Sequence, residues 1–252
     1  MKCQKALERL AAIAWLGLFA VSANASVVIG STRAIYPSNE SEITLRLSNE
    51  GRAPALVQSW VDDGDVQKSP SDLVVPFTIT PPISRIEPGK AQTLRIVHTG
   101  EPLPQNRESV FWLNVLEVPP KPGEALADSN LIQMAFRSRI KLFYRPEGLK
   151  GSPADAPAQL IWRLARGSVE PAIVAHNPSA FHVSLTEIRV ESGAHSATSG
   201  TGGMVAPGET YTFKLDGNIP GAAGASVHFT SLSDYGGAIS NKAPLLPGNA
   251  SQ

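Results

Sequence analysis

Cysteine is all but absent. Cys3 is the only one in 252 residues. It lies ahead of an apolar run, Leu10 to Val21, which is interrupted only by Gly17. Lys2, Lys5 and Arg9 make a positive start, and Ala23-Asn24-Ala25 is a small-x-small triplet. The pattern reads as a secretory signal peptide over residues 1–25, with cleavage expected between Ala25 and Ser26. The apolar run falls short of the ~20 residues that span a bilayer. Cys3 precedes the run, so it does not sit where a lipoprotein cysteine would. The remaining chain then has no disulfide, and its stability must come from its core.

A charge excess is also missing. The formal net charge is 0, from 22 basic and 22 acidic side chains. Removing residues 1–25 takes away three of the basic and one of the acidic residues, leaving 19 and 21, or −2. That argues against non-specific nucleic-acid binding, which needs a strong positive excess. No apolar run after Val21 is long enough for membrane insertion.

Catalytic signatures are lacking as well. The chain has no G-x-S-x-G, no H-E-x-x-H and no P-loop. The histidines, at 98, 176, 182, 195 and 228, show no metal-ligand spacing. Asp62, Asp63 and Asp65 do not continue into an EF-hand loop, so Asp62-Asp63-Gly64-Asp65 reads as a solvated turn. Thr201-Gly202-Gly203 lacks the strand-to-helix setting of a phosphate cradle. These observations lead us to expect no enzyme, no cofactor and no metal.

No sustained 3.6-residue periodicity occurs. Short apolar runs instead recur about every ten residues, between turns supplied by 21 Gly and 21 Pro. This is the pattern of an all-β sandwich protein. Strands are expected at 27–36, 42–48, 55–61, 74–80, 92–98, 109–118 and 130–146. A weaker set follows at 159–164, 169–177, 181–190, 210–215, 225–231 and near Ala238. Residues 192–203 read as an exposed loop. The expected boundaries are a signal peptide at 1–25, an immunoglobulin-like domain at 26–147 and a Gly/Pro-rich linker at 148–157. A second immunoglobulin-like domain follows at 158–247, then a tail at 248–252.

The longest strand, Asn130–Pro146, alternates Ile132, Met134, Phe136, Ile140, Leu142 and Tyr144 against Gln133, Ala135, Arg137, Arg139 and Lys141. Period two over this length indicates a strand. It exceeds the usual ~5–6 residues. Such a strand can be the spine of a domain, or it can be offered to a partner as a pairing edge.

Several motifs, in order, resemble the PapD-like family of periplasmic chaperones of the chaperone–usher pathway. They are Gly30-Ser31-Thr32-Arg33-Ala34-Ile35-Tyr36-Pro37, Gln58-Ser59-Trp60, Pro76-Phe77 with Thr80-Pro81-Pro82, and Leu94-Arg95-Ile96. Further along are Arg107-Glu108-Ser109 with Phe111-Trp112-Leu113-Asn114-Val115, and Ile140-Lys141-Leu142-Phe143-Tyr144-Arg145-Pro146. Asn177-Pro178-Ser179-Ala180-Phe181 and Asp234-Tyr235-Gly236-Gly237 complete the set.

The resemblance implies two immunoglobulin-like β-sandwich domains set at an angle, with a cleft between them. It implies a periplasmic protein that binds pilus or fimbrial subunits in transient 1:1 complexes and delivers them to an outer-membrane usher. The subunits lack their last strand, and the chaperone lends its own. The matching donor positions are Asn130, Ile132, Met134 and Phe136. Ile140, Leu142 and Tyr144 are expected in the domain's own core. Arg33 and Lys141 match the pair that binds the subunit's terminal carboxylate. Glu108, Arg145 and Asp234 match a charge network between the domains. Arg137 and Arg139 are left as solvated side chains. Asn106 departs from the family, which commonly has an acidic residue there. The short loop Lys121–Asn130 resembles the short-loop class. The competing reading is a structural or adhesive immunoglobulin-like component of a surface assembly. It would be expected to lack a complete long strand and to carry an N-terminal extension.

Overall fold

The computed structural model describes residues 26–119, 133–165 and 171–248. The signal peptide and the expected donor residues Asn130 and Ile132 lie outside these residues. So does the loop Lys121–Asn130.

The first half holds nine strands: β1 (Val27–Ile29), β2 (Arg33–Pro37), β3 (Ile43–Asn49), β4 (Ala55–Asp62), β5 (Phe77–Thr80), β6 (Ile83–Ile86), β7 (Ala91–His98), β8 (Ser109–Val118) and β9 (Phe136–Arg145). They form two sheets, in the orders β1-β3-β7-β5 and β2-β9-β8-β4-β6. The inward residues of both meet in one core, which includes Tyr36, Leu47, Val57, Leu94, Ile96, Leu113 and Leu142. Burial alternates along the strands, as for a sandwich with one wet face per sheet.

The first expected strand, 27–36, divides in two. β1 pairs with β3 in one sheet, and β2 pairs with β9 in the other. The chain crosses between sheets at Gly30-Ser31-Thr32. A Cβ at Gly30 would lie 3.1 Å from the Arg46 carbonyl. The crossing is therefore tight for any side chain at this position.

The second half holds β10 (Ile161–Leu164), β11 (Ala172–His176), β12 (Val183–Ser192), β13 (His195–Ser199), β14 (Gly203–Val205), β15 (Thr210–Lys214), β16 (Asp216–Gly217), β17 (Ser226–Leu232) and β18 (Ala238–Leu246). Their core gathers Trp162, Ile173, Val190, Phe213, Val227 and Phe229. The segment 192–203 is not an open loop: β13 and β14 both pair with β12. Its Ser/Thr/Gly composition masks a period-two pattern in which only Ala197 is apolar and buried. Ala156, inside the expected linker, is fully buried in the second core.

Each half carries one fully buried asparagine at a strand end. Asn49 donates to Ala53 O and Ile86 O and accepts from the Gly51 amide. Asn177 donates to Phe181 O and Val205 O and accepts from the Ser179 amide. Both side chains replace missing backbone partners at a bend, so burial costs them no hydrogen bond.

Candidate functional site

The site follows from the pairing of two strands. β2 and β9 run parallel, with Arg33 opposite Lys141. Two cations are thereby held abreast on one face. That face of β9, the odd-numbered residues, looks away from the first core, and from Lys141 onward it looks toward the second half of the chain. Lys141 Nζ donates to Ser184 Oγ at 3.1 Å. The Phe143 ring lies 5.4 Å from that of His182. Arg33 Nη1 donates to Leu232 O at 3.3 Å, and its guanidinium lies over the Phe143 ring.

Neither cation has an anionic partner among the described residues. Arg33 is 7% exposed, and its Nε is buried without a hydrogen bond. Burial pulls its pKa below the usual value, against the pull of Asp234 and Glu108. Burial, reinforced by the charge of Arg33, brings Lys141 down to about 8. A buried and a half-buried like charge side by side are unfavourable, and an anion bound between them would relieve the cost. Ser184, on β12, was missed in the sequence. A lone serine on an alternating strand carries no signal until the two halves are docked.

Glu108, Arg145 and Asp234 converge. Arg145 donates through Nε to Glu108 at 2.6 Å, and through Nη1 and Nη2 to both oxygens of Asp234 at 2.7 and 2.9 Å. The other Glu108 oxygen accepts from the His182 amide at 2.8 Å and lies 3.2 Å from His182 Nδ1. The Glu108 amide also donates to Ala180 O. A bidentate fork and a buried carboxylate thus join the two halves beside the cation pair.

The even-numbered face of β9 changes character along its length. Leu142 and Tyr144 are buried, and Ile140 packs against the first core. Phe136 is 49% exposed and Met134, just before the strand, 58%. β2 covers β9 only from Lys141 onward, whereas β8 pairs with it back to Phe136. The stretch Phe136–Ile140 therefore has no described strand along its other edge. An apolar face runs on past its own core beside an open ladder edge, which is normally an aggregation hazard.

Arg139 is not a solvated side chain, and Arg137, though exposed, is held by partners as well. Arg139 is hydrogen-bonded to both oxygens of Asp62, and its guanidinium sits 4.1 Å from the Trp112 ring centroid. Arg137 donates to Asn114 Oδ1 and Val66 O and lies over Trp60. Asp62 is 1% exposed and also accepts from Asn114 and the Gly64 amide. Asp62 is thus a buried clamp at the head of the turn, whereas Asp63, Gly64 and Asp65 are exposed as expected. Burial pushes the carboxyl up, but the hydrogen bonds from Arg139 and Asn114 outweigh it and hold the group below the usual carboxylate range. The sequence pattern showed which residues face outward. Only the strand order β9-β8-β4 brings the two arginines to this aspartate.

Asp62→Ala is expected to cost about 2–3 kcal/mol, because it leaves the partly buried Arg139 guanidinium without its carboxylate and Asn114 without its acceptor. A urea unfolding midpoint checks this. The folded pKa is depressed, so the contribution is present above pH ~4 and is lost as pH falls through the folded value.

Residues 26–150 match the family described as "Pili and flagellar-assembly chaperone, PapD N-terminal domain", and residues 155–243 match "Pili assembly chaperone PapD, C-terminal domain". The chain belongs to the PapD-like pilus-assembly chaperones. It is 44% identical over 229 residues to the "Probable fimbrial chaperone YadV" of Escherichia coli K12, spanning 90% of this chain and 93% of that protein. The crystal structure of the YadV chaperone superposes with a TM-score of 0.73, at 40% identity, over 86% of this chain and 98% of that one. The "Chaperone protein FimB/FhaD" of Bordetella pertussis is also 44% identical, over 92% of this chain and 93% of that protein. A Salmonella enterica structure holds the SafA pilin in complex with the SafB chaperone. It matches with a TM-score of 0.71, at 30% identity, over 87% of this chain and 96% of that one.

In this PapD-like chaperone the two sandwiches meet at the Glu108–Arg145–Asp234 network. The cleft there, about 120 Å³, is lined by Arg33, Phe143, His182, Leu232 and Asp234 among others.

Proposed function

We propose that this protein captures pilus or fimbrial subunits by lending them the Asn130–Phe136 end of its long strand, and fixes their register by gripping the terminal carboxylate with Arg33 and Lys141. One observation carries the reading. The apolar face of β9 leaves its own core beside an open ladder edge, and a few residues on, the same strand carries Lys141 beside the buried Arg33, neither cation having an anion among the described residues. Met134 and Phe136 would enter the subunit groove while the backbone pairs with its edge. Asn130 and Ile132 continue that face on the period-two pattern. Burying each half-exposed apolar side chain contributes about 1 kcal/mol. The carboxylate adds charge-assisted hydrogen bonds from Arg33, Lys141 and the free hydroxyl hydrogen of Ser184. Anchoring the terminus selects one register, since a slip of one residue would turn every donor side chain out of the groove.

Glu108, Arg145 and Asp234 hold the angle between the sandwiches, and with it the spacing of Arg33 and Lys141 from Ser184. The protein acts in the periplasm after cleavage between Ala25 and Ser26, passes its subunit to an outer-membrane usher, and needs neither cofactor nor metal for this role. The loop Lys121–Asn130 assigns it to the short-loop class.

The test is periplasmic co-expression with a candidate pilus subunit and purification on a tag carried by this protein. Wild type is expected to yield a soluble 1:1 complex, and folded Arg33→Ala and Lys141→Ala none. Equal capture by all three would refute the anchor. Failure of wild type with every cognate subunit would favour a structural module instead.

A further inference from the structure

The turn between β17 and β18 offers the solvent an aromatic ring that the packing does not use. Tyr235 is 96% exposed. The backbone beneath it is fixed from three sides. Within the turn, the Gly236 amide donates to Ser233 O, the Ser233 amide to Gly237 O, and the Gly237 amide to Ser233 Oγ. From β9, Arg145 grips Asp234 with two hydrogen bonds. From the start of the chain, Thr32 presses on Gly236, where a Cβ would lie 2.3 Å from the threonine hydroxyl oxygen. Gly236 also has φ +79°, so glycine is required there twice over.

This pinned turn stands at the cation pair. Leu232, just before it, accepts the hydrogen bond from Arg33, and Tyr235 lines the same cleft as Arg33 and Phe143. A tyrosine on a rigid backbone gives up little entropy on contact and offers a large amphipathic surface, which is why such residues dominate binding hot spots.

We propose that Tyr235 is a specificity-determining contact for the bound subunit, closing over apolar or aromatic side chains in the last few residues before the carboxylate held by Arg33 and Lys141. The proposal rests on the anchor reading above. It assigns the second sandwich a direct part in recognition, beyond supporting the angle of the cleft.

The experiment uses the full mature protein and the subunit that wild type captures on co-expression, with dissociation followed by competition against unlabelled chaperone. Tyr235→Ala is expected to release the subunit about tenfold faster. Its thermal midpoint should be unchanged, because the ring is fully exposed. Tyr235→Phe should restore the wild-type rate, since the ring face carries the contact. Truncating the apolar side chains among the subunit's last three residues to alanine should weaken wild type, and add little further loss to Tyr235→Ala. Release at the wild-type rate by Tyr235→Ala, failure of phenylalanine to rescue, or simple additivity of the two truncations would overturn it. A wild type that captures no subunit, or Lys141→Ala capturing as well as wild type, would instead bring down the anchor reading on which it rests.

Discussion

Lys141→Met is expected to raise the thermal midpoint of the free protein and to abolish subunit capture. The ammonium is half-buried beside Arg33 with a serine hydroxyl and the face of the Trp112 ring as partners but no anion among the described residues, and its pKa falls to about 8. An ordinary lysine titrates near 10.4. The folded value lies below the unfolded one, so the unfolded chain holds the proton more tightly. The cost to the folded state is present in full below pH 8 and disappears as pH rises from about 8 to 10.4, where stability should increase. Discounted for residual exposure, the cost is about 1–2 kcal/mol. Replacing the ammonium by a thioether of similar length should recover that amount, a gain of about 2–6 °C for a chain of this size. Differential scanning calorimetry of the mature protein at pH 7 decides the point. A lower midpoint would mean that Lys141 is not strained in the free state.

The same linkage predicts a pH dependence of capture. A carboxylate needs the charged lysine, so affinity should hold below pH 8 and fall above it, by up to about tenfold per pH unit. In Lys141→Arg the charge cannot titrate, so that fall should vanish even if affinity is lower. Titration of subunit binding between pH 7 and 9.5 provides the check. A flat wild-type profile would rule out a charged Lys141 as the anchor.

The second large effect belongs to Arg145. In Arg145→Ala the Glu108 carboxylate, 2% exposed, loses its guanidinium partner and keeps only the His182 contacts. Breaking a buried pair from one side costs about 3–5 kcal/mol. Arg145 is itself partly exposed, and water entering the gap should hold the loss near the lower figure. A functional effect should accompany the loss of stability. Asp234 is released, and with it the one bidentate contact between the sandwiches. Arg33 and Ser184 would no longer keep a fixed separation, and capture should fall by at least tenfold, since a small misplacement is costly in a preorganised site. Arg145→Lys should not rescue it, because an ammonium cannot bridge both carboxylates with a planar fork. Small-angle scattering should show a wider spread of interdomain arrangements. Unchanged scattering and capture would leave the network a purely local ion cluster.

Much of this protein was legible in its sequence, for identifiable physical reasons. Strand periodicity is local, so the alternation of Ile140, Leu142 and Tyr144 was enough to place them in a core. The motif around Arg33 and the one around Lys141 were each readable alone, because a parallel pairing conserves order along both strands.

Other features required the tertiary structure. The chain crosses between sheets at Gly30 within one run of strand-forming residues, so the pattern from Val27 to Tyr36 cannot reveal that it spans two strands. Arg137 and Arg139 looked like any outward cations. Their partner, Asp62, is more than 70 residues away and reaches them only because β8 lies between β4 and β9. Ser184 and the Tyr235 turn gained a role only from the docking of one sandwich on the other, which Arg145 secures. Hydrophobic periodicity decides which way a side chain points from its strand. Strand order and domain docking decide what it meets there. In this chaperone the second decision sets two cations, from β2 and β9, against Leu232 and Ser184 of the second sandwich.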